Sequence, residues 1–168
     1  MVGRKHQNHP ALKGLNKKNK MSSYRQILYH VVFRTKHSQK TLDPKYNKEL
    51  YAYTAGIVKN KNCFLYQING VENHVHLLCD LHPSTALADF IRDLKTSTSI
   101  WLKQSGKFPD FMGWAVGYAA LTYAWRDKEM IITYIKNQQE HHKKNSYEDE
   151  LKQLLRKNGV VINEDFFP

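Results

Sequence analysis

Hydrophobic positions along the chain switch between a period of two and a helical period. Apolar side chains at every second position predict strands, and apolar side chains three or four positions apart predict helices. Capping residues mark boundaries, such as Asp43-Pro44 before the first helix and Ser146 with Asp149 before the last. The predicted strands are 24–34, 63–69, 74–81 and 114–123, and the predicted helices are 44–60, Pro83-Ser84 to Gly106, 128–144 and 147–157.

The order of these elements is β-α-β-β-α-β followed by two helices. It predicts an α+β protein with a ferredoxin-like (RRM-like) sheet, two helices on one face, and additional C-terminal helices. In that topology the first and third strands lie at the centre of the sheet. Asn69-Gly70 is a turn signal between the second and third strands, although the connection can extend to Asn73.

Within the composition, the net charge is the feature that indicates a class of partner. The 168 residues carry 26 Lys and Arg against 15 Asp and Glu, a net charge of +11, which favours nucleic acid as a partner. Residues 1–20 contain no acidic residue and predict a basic disordered arm before a single domain, 21–168. A DNA-contacting tail is the alternative for this arm, and Met21 is an alternative start.

The cellular setting is constrained by what the sequence lacks. The chain has two cysteines, too few for a disulfide framework, so a reduced intracellular setting is expected. No apolar stretch approaches the roughly 20 residues of a transmembrane helix, and the start does not read as a signal peptide.

Two histidines interrupt the apolar third strand, "VENHVHLLCDL" at 71–81. His74 and His76 share one face of a strand, with Cα atoms about 6.6 Å apart, close enough for both imidazoles to reach one cation. Val75 and Leu77 face the opposite side, toward the predicted helices. We therefore expect the histidine face to be the open face of the sheet. The pair alone is a weak signal, because core or surface histidines produce the same pattern.

The predicted helix 128–144 supplies further chemistry. Tyr134 and Gln138 are four positions apart on one face, and His141 and His142 continue roughly along it. A core-facing tyrosine is the simpler interpretation of Tyr134. The alternative is that His74, His76 and Gln138 hold Mg²⁺ or Mn²⁺ and that Tyr134 attacks a phosphodiester beside the metal.

Four stretches in a fixed order resemble the HUH single-tyrosine transposases of small bacterial insertion sequences, including the REP-associated tyrosine transposases. They are "YHVVFRTKH" (29–37), "NHVHLL" (73–78), "GYAALT" (117–122) and "YIKNQQEHH" (134–142), and the tail 146–167 also resembles the end of that family. The pair of histidines alone is unspecific, whereas the ordered set is specific. Asn73 departs from the family, which often has aspartate at that position. The stretch "AALTYAWRD" also matches the family's usual connection from the fourth strand to the tyrosine helix less closely.

The resemblance implies an enzyme, a metal-dependent single-stranded DNA transesterase with transposase and endonuclease activity. His74 and His76 would be metal ligands, Gln138 the third ligand, and Tyr134 the nucleophile that becomes joined to a 5′ phosphate. Members of the family are dimers that recognise DNA hairpins, and in some the tyrosine helix completes the partner's site. The resemblance also implies a bacterial cytoplasmic protein associated with the nucleoid.

Two groups of basic residues are candidates for contacts with DNA phosphates. Arg34, Lys36 and Lys40 follow the first strand and are the better candidates, while Arg92 and Lys95 share a helix face. Two other functions stay open on this sequence. A non-catalytic RRM-like nucleic-acid binder predicts exposed aromatic side chains on the sheet face, and a metal-dependent hydrolase predicts turnover without a covalent intermediate.

Overall fold

A four-stranded antiparallel sheet forms the centre of the protein. The computed structural model describes residues 24–143, 145–163 and 167, and the predicted basic arm, 1–20, lies outside them. The strands are β1 (Leu28–Arg34), β2 (Phe64–Val71), β3 (His74–Asp80) and β4 (Ala119–Tyr123), in the order β2-β3-β1-β4. The α-helices are α1 (Asn47–Asn60), α2 (Leu87–Gln104), α3 (Lys128–Lys136), α4 (Gln138–His141) and α5 (Tyr147–Lys157). The predicted ferredoxin-like α+β fold is confirmed, with β1 and β3 at the centre.

One face of the sheet builds the main hydrophobic core with α1 and α2. Val31 and Phe33 of β1 and Val75 and Leu77 of β3 lie on this face and are almost fully buried. The apolar stripe of α2 packs against them, with Phe90, Ile91 and Leu94 buried. The predicted facing of β3 is therefore confirmed, because alternation leaves His74 and His76 on the other side.

The histidine face of the sheet is covered, so the prediction of an open face was wrong. Ile131 and Ile135 of α3 pack there against Leu28 and Leu78. On the β1–β4 side of the same face, α5 packs against the sheet through Tyr147, Leu151 and Leu154. Each C-terminal helix carries an apolar stripe that must leave water, and this sheet face is the surface available to both.

The predicted helix 128–144 is interrupted at Asn137, which separates α3 from α4. The side-chain amide of Asn69 in β2 donates to the carbonyl oxygens of Ile135, at 3.0 Å, and Lys136, at 2.9 Å. These bonds satisfy carbonyl groups that are left over where a helix ends. The break redirects the chain so that α4 and α5 pass over the sheet.

Asn69-Gly70 lies inside β2 rather than in a turn, and the hairpin loop is Glu72-Asn73. Gly70 suits the strand because it is buried and the β3 backbone passes very close to it. The fourth strand is shorter than predicted, with only an isolated bridge between Thr35 and Trp114 before it. Among the helices of the described residues, none combines the length and apolar composition needed to span a membrane.

Candidate active site beneath the C-terminal helices

His74 and His76 lie on β3 beneath α4 and α5, with exposed fractions of 0% and 1%. The Nδ1 atom of His74 is 2.8 Å from Asn73 Oδ1, and the Nδ1 atom of His76 is 3.0 Å from His30 Nε2. His30, from β1, was not predicted as a site residue, although alternation places it on the same face. Because both Nδ1 atoms have partners, the Nε2 atoms of His74 and His76 are the ones left for a ligand.

Tyr134 of α3 and Gln138 of α4 extend toward the imidazoles of His74 and His76. The Tyr134 ring lies 5.9 Å from the ring of His76, centroid to centroid. Gln138 is fully buried, and its Nε2 atom donates to Glu150 Oε1 at 2.8 Å. The structure therefore brings all four predicted residues of the chemistry together within a single chain.

Glu150 of α5 lies at the centre of this group and was missed by sequence reasoning. Its Oε1 atom accepts a hydrogen bond from the Tyr134 hydroxyl, and its Oε2 atom is 2.6 Å from His142 Nε2. In the sequence it resembles the acidic residues usual in a first helical turn. The available signal was its position three residues after Tyr147 and four before Leu154, on the apolar stripe of α5, where a charged residue is unusual.

Burial and charge shift the proton affinities of these groups. Burial lowers the pKa of His74 to about 4 and that of His30 well below its usual value, so both imidazoles are neutral at pH 7. Burial and the Glu150 carboxylate together raise the pKa of the Tyr134 phenol. Burial alone would raise the pKa of Glu150, but the imidazoles of His142, His74 and His76 outweigh it and hold the pKa well below its usual range.

The residues present fit a divalent cation. His74 Nε2, His76 Nε2 and Gln138 Oε1 are buried polar atoms for which the described residues provide no hydrogen-bond partner. Such atoms are rare in folded proteins and call for an explanation such as an ion. His74, His142 and Glu150 also form a group whose ligand atoms lie within 4.8 Å of one another. Imidazole, amide and carboxylate donors suit Mn²⁺ and Mg²⁺.

Comparison with known families decides what this arrangement belongs to. Residues 23–138, which include both histidines, Tyr134 and Gln138, match the model of the family "Transposase IS200 like". The chain belongs to this family of transposases. No curated protein matched it.

Two solved structures share the fold of this transposase-family chain. A protein from Deinococcus radiodurans R1, assigned as a transposase, is 24% identical, with a TM-score of 0.57 over 72% of this chain and 97% of that one. A REP-associated tyrosine transposase, solved bound to a REP hairpin, is 15% identical, with a TM-score of 0.51 over 73% of this chain and 74% of that one.

The basic residues predicted to contact DNA have different surroundings in this transposase fold. Arg34 and Lys36 line a groove between the end of β1 and α5, with Tyr118 and Tyr147 also in its wall. The Lys40 side chain is exposed, and its Nζ atom lies 3.6 Å from Glu72 Oε2. Arg34 and Lys36 therefore border the site through Tyr147, whose ring is 4.8 Å from that of His74.

The two predicted residues on α2 are occupied by contacts within the chain. Arg92 pairs with Asp89 at 2.6 Å and with Asp93 at 3.1 Å. The Lys95 ammonium donates to the carbonyl oxygens of Ala115, Val116 and Gly117. Lys95 thus holds the segment before β4 against α2, and the Arg92 guanidinium is paired with two carboxylates.

Proposed function

We propose that this protein binds single-stranded DNA carrying a hairpin and cleaves and rejoins it through a 5′-phosphotyrosine intermediate. The observation that carries the proposal is the convergence of Tyr134, His74, His76 and Gln138 on one buried point within one chain. Membership of the transposase family supports DNA strand transfer as the reaction class. A fold neighbour solved with a REP hairpin supports a hairpin as the ligand class.

Tyr134 is the nucleophile in this proposal. Its hydroxyl oxygen forms a bond to phosphorus, the bond from phosphorus to the 3′ oxygen breaks, and a free 3′ hydroxyl leaves after taking up a proton. A 3′ hydroxyl can later attack the phosphotyrosine, which reverses the step and rejoins the strand without an external energy source. The raised pKa of Tyr134 means that the phenol is protonated at neutral pH, so it must lose its proton within the site.

His74, His76 and Gln138 are the proposed ligands of Mg²⁺ or Mn²⁺. A divalent cation held there would stabilise the negative charge that develops on the phosphate oxygens. The neutral state of His74 keeps its Nε2 lone pair available at neutral pH. Asn73 and His30 hold the two imidazoles in the orientation that ligation through Nε2 requires.

Single-stranded DNA is proposed to run along the groove lined by Arg34 and Lys36. The partly exposed side chains of Tyr134 and His142 mark the side from which a phosphate can approach. A homodimer also belongs to the proposal, because closed two-fold dimers are the commonest assembly. The site does not need the partner to be complete, since its residues meet within one chain.

An RRM-like binder without catalysis has weaker support. That function requires aromatic side chains on an open sheet face, where bases can stack. Here α3 and α5 cover this face, and its central residues Val32, His76 and Leu78 are buried.

A covalent adduct assay tests the proposal. Labelled single-stranded DNA with the hairpins that flank the gene is incubated with protein and Mn²⁺, then separated under denaturing conditions. Wild type should carry label on the protein, and Tyr134→Phe should not, although it should still bind the DNA. Tyr147→Phe, with a ring beside His74, and Tyr123→Phe are the matched controls and should still form the adduct. Cleavage without an adduct would point to a hydrolase, and tight binding without cleavage would point to a binding protein.

A further inference from the structure

The Glu150 carboxylate joins the nucleophile to the proposed metal ligands. It is 7% exposed, although burying an ionised carboxylate is costly unless it is paired. One oxygen, Oε1, accepts from the Tyr134 hydroxyl and from Gln138 Nε2, and the other, Oε2, faces His74, His76 and His142. A residue used only for packing at this position of α5 would be apolar, as its neighbours Leu151 and Leu154 are.

The three imidazoles around Glu150 Oε2 lie at two different ranges of distance from it. His142 Nε2 lies 2.6 Å away, which is a hydrogen-bond distance. His74 Nε2 and His76 Nε2 lie 3.4 and 3.6 Å away and make no hydrogen bond to any described residue. Neighbouring ligands of one cation with bonds of about 2.1 Å stand roughly 3.0–3.4 Å apart, close to these two separations. The separations of Oε2 from His74 and His76 are thus close to those of neighbouring ligands around one cation, whereas His142 contacts the carboxylate at hydrogen-bond distance.

We propose that Glu150 is a further ligand of the divalent cation, through Oε2, and the residue that positions Tyr134 beside it, through Oε1. His142 orients the carboxylate by hydrogen bonding. This inference rests on the proposed metal-dependent function of His74, His76 and Gln138. Glu150 lies beyond the segment 23–138 that matches the family model, so α5 adds a group that the matched segment does not supply.

The first test is Mn²⁺ binding to the full chain without DNA, measured by electron paramagnetic resonance. Glu150→Gln keeps the shape and removes the charge, and we expect its affinity for Mn²⁺ to fall at least tenfold, as for other changes at metal sites. Glu148→Gln is the matched control, because Glu148 is an exposed acidic residue in the first turn of the same helix, and it should bind as wild type does. Circular dichroism confirms folding, and Glu150→Asp, which keeps the charge but shortens the reach, should bind with intermediate affinity.

A second measurement uses wild-type protein alone and does not depend on any variant folding. With glutamate labelled with ¹³C in its side-chain carboxylate, bound Mn²⁺ should show a strong coupling to a ligand carboxylate carbon in electron–nuclear double resonance. Absence of that coupling would overturn the inference. A Glu150→Gln protein that binds Mn²⁺ as tightly as wild type would also overturn it. So would a Glu150→Gln protein that forms more DNA adduct than wild type, because the Glu150 carboxylate would then occupy the place of the DNA phosphate.

The outcomes distinguish this inference from the proposed function. If wild type binds no Mn²⁺, or if His76→Ala binds it as well as wild type does, the proposed metal site itself is wrong. If wild type binds Mn²⁺ and His76→Ala does not, while Glu150→Gln is unaffected, only the role of Glu150 is wrong.

Discussion

Gly70 lies against the backbone of His74, and we expect Gly70→Ala to weaken both the fold and the proposed metal site. A Cβ atom on Gly70 would overlap the carbonyl oxygen of His74 and lie 3.0 Å from the Cα atom of Val75. Gly70 pairs directly with Val75 in the β2–β3 ladder, so the obstacle is backbone and cannot rotate away. The two strands must separate at this point, and His74 must move with its strand.

The cost follows from the size of this overlap. Inserting a methyl group into a packed region that must shift its backbone costs about 1–3 kcal/mol. For a chain of this length, that corresponds to a fall in melting temperature of roughly 2–12 °C. The movement of His74 should also weaken Mn²⁺ binding, because a metal site depends on the placement of its ligands.

Urea unfolding followed by tryptophan fluorescence measures the change, since Trp101 and Trp114 pack against the main core. Gly56→Ala is the matched control. Gly56 is exposed in the middle of α1, and no heavy atom of the described part of the chain lies within 4 Å of an added Cβ. Alanine should stabilise that helix by up to about 1 kcal/mol. A Gly70→Ala protein with the wild-type midpoint, or a Gly56→Ala protein that loses as much stability, would refute the close-approach argument.

Three further results are expected. Mixing His74→Ala chains with Tyr134→Phe chains should restore no adduct, because the two residues meet within one chain, whereas recovery of the adduct would mean that sites are shared between subunits. The affinity for hairpin DNA, measured by fluorescence anisotropy at several salt concentrations, should depend less steeply on salt in Lys36→Ala, with the slope of log affinity against log salt smaller in magnitude by about one. The slope should stay unchanged in Arg92→Ala, because the Arg92 guanidinium of wild type is paired with Asp89 and Asp93. Stability of the metal-free protein should fall as the pH is lowered from about 6.5 towards 4, because His74 stays neutral in the fold, with a pKa of about 4, while the unfolded chain takes up the proton. The difference between the unfolded and folded pKa of His74 limits this loss of stability to about 3 kcal/mol. An equal loss in His74→Ala would show that another group causes the pH dependence.

The sequence alone was sufficient for the order of the strands and main helices and for the facing of β3. Strand alternation places His74 and His76 on one side and Val75 and Leu77 on the other whatever the rest of the chain does, because side-chain direction in a strand is local. Helical spacing likewise puts Tyr134 and Gln138 on one face. These local rules, together with the order of the elements, were enough to predict the fold, whereas selecting the four residues of the site also required the resemblance to a known family.

Tertiary structure decided what covers the histidine face and what completes the site. Asn69, which looked like part of a turn, instead ends α3 by bonding to its last carbonyl groups, and no local pattern predicts a bond between residues so far apart. The packing of α5 brings Glu150 to Tyr134, His74 and His76, although in the sequence it looks like an ordinary acidic residue of a first helical turn. Period and capping are short-range properties of the chain, whereas the surface on which a helix buries its apolar stripe depends on the whole fold, and that long-range choice placed the carboxylate in the site.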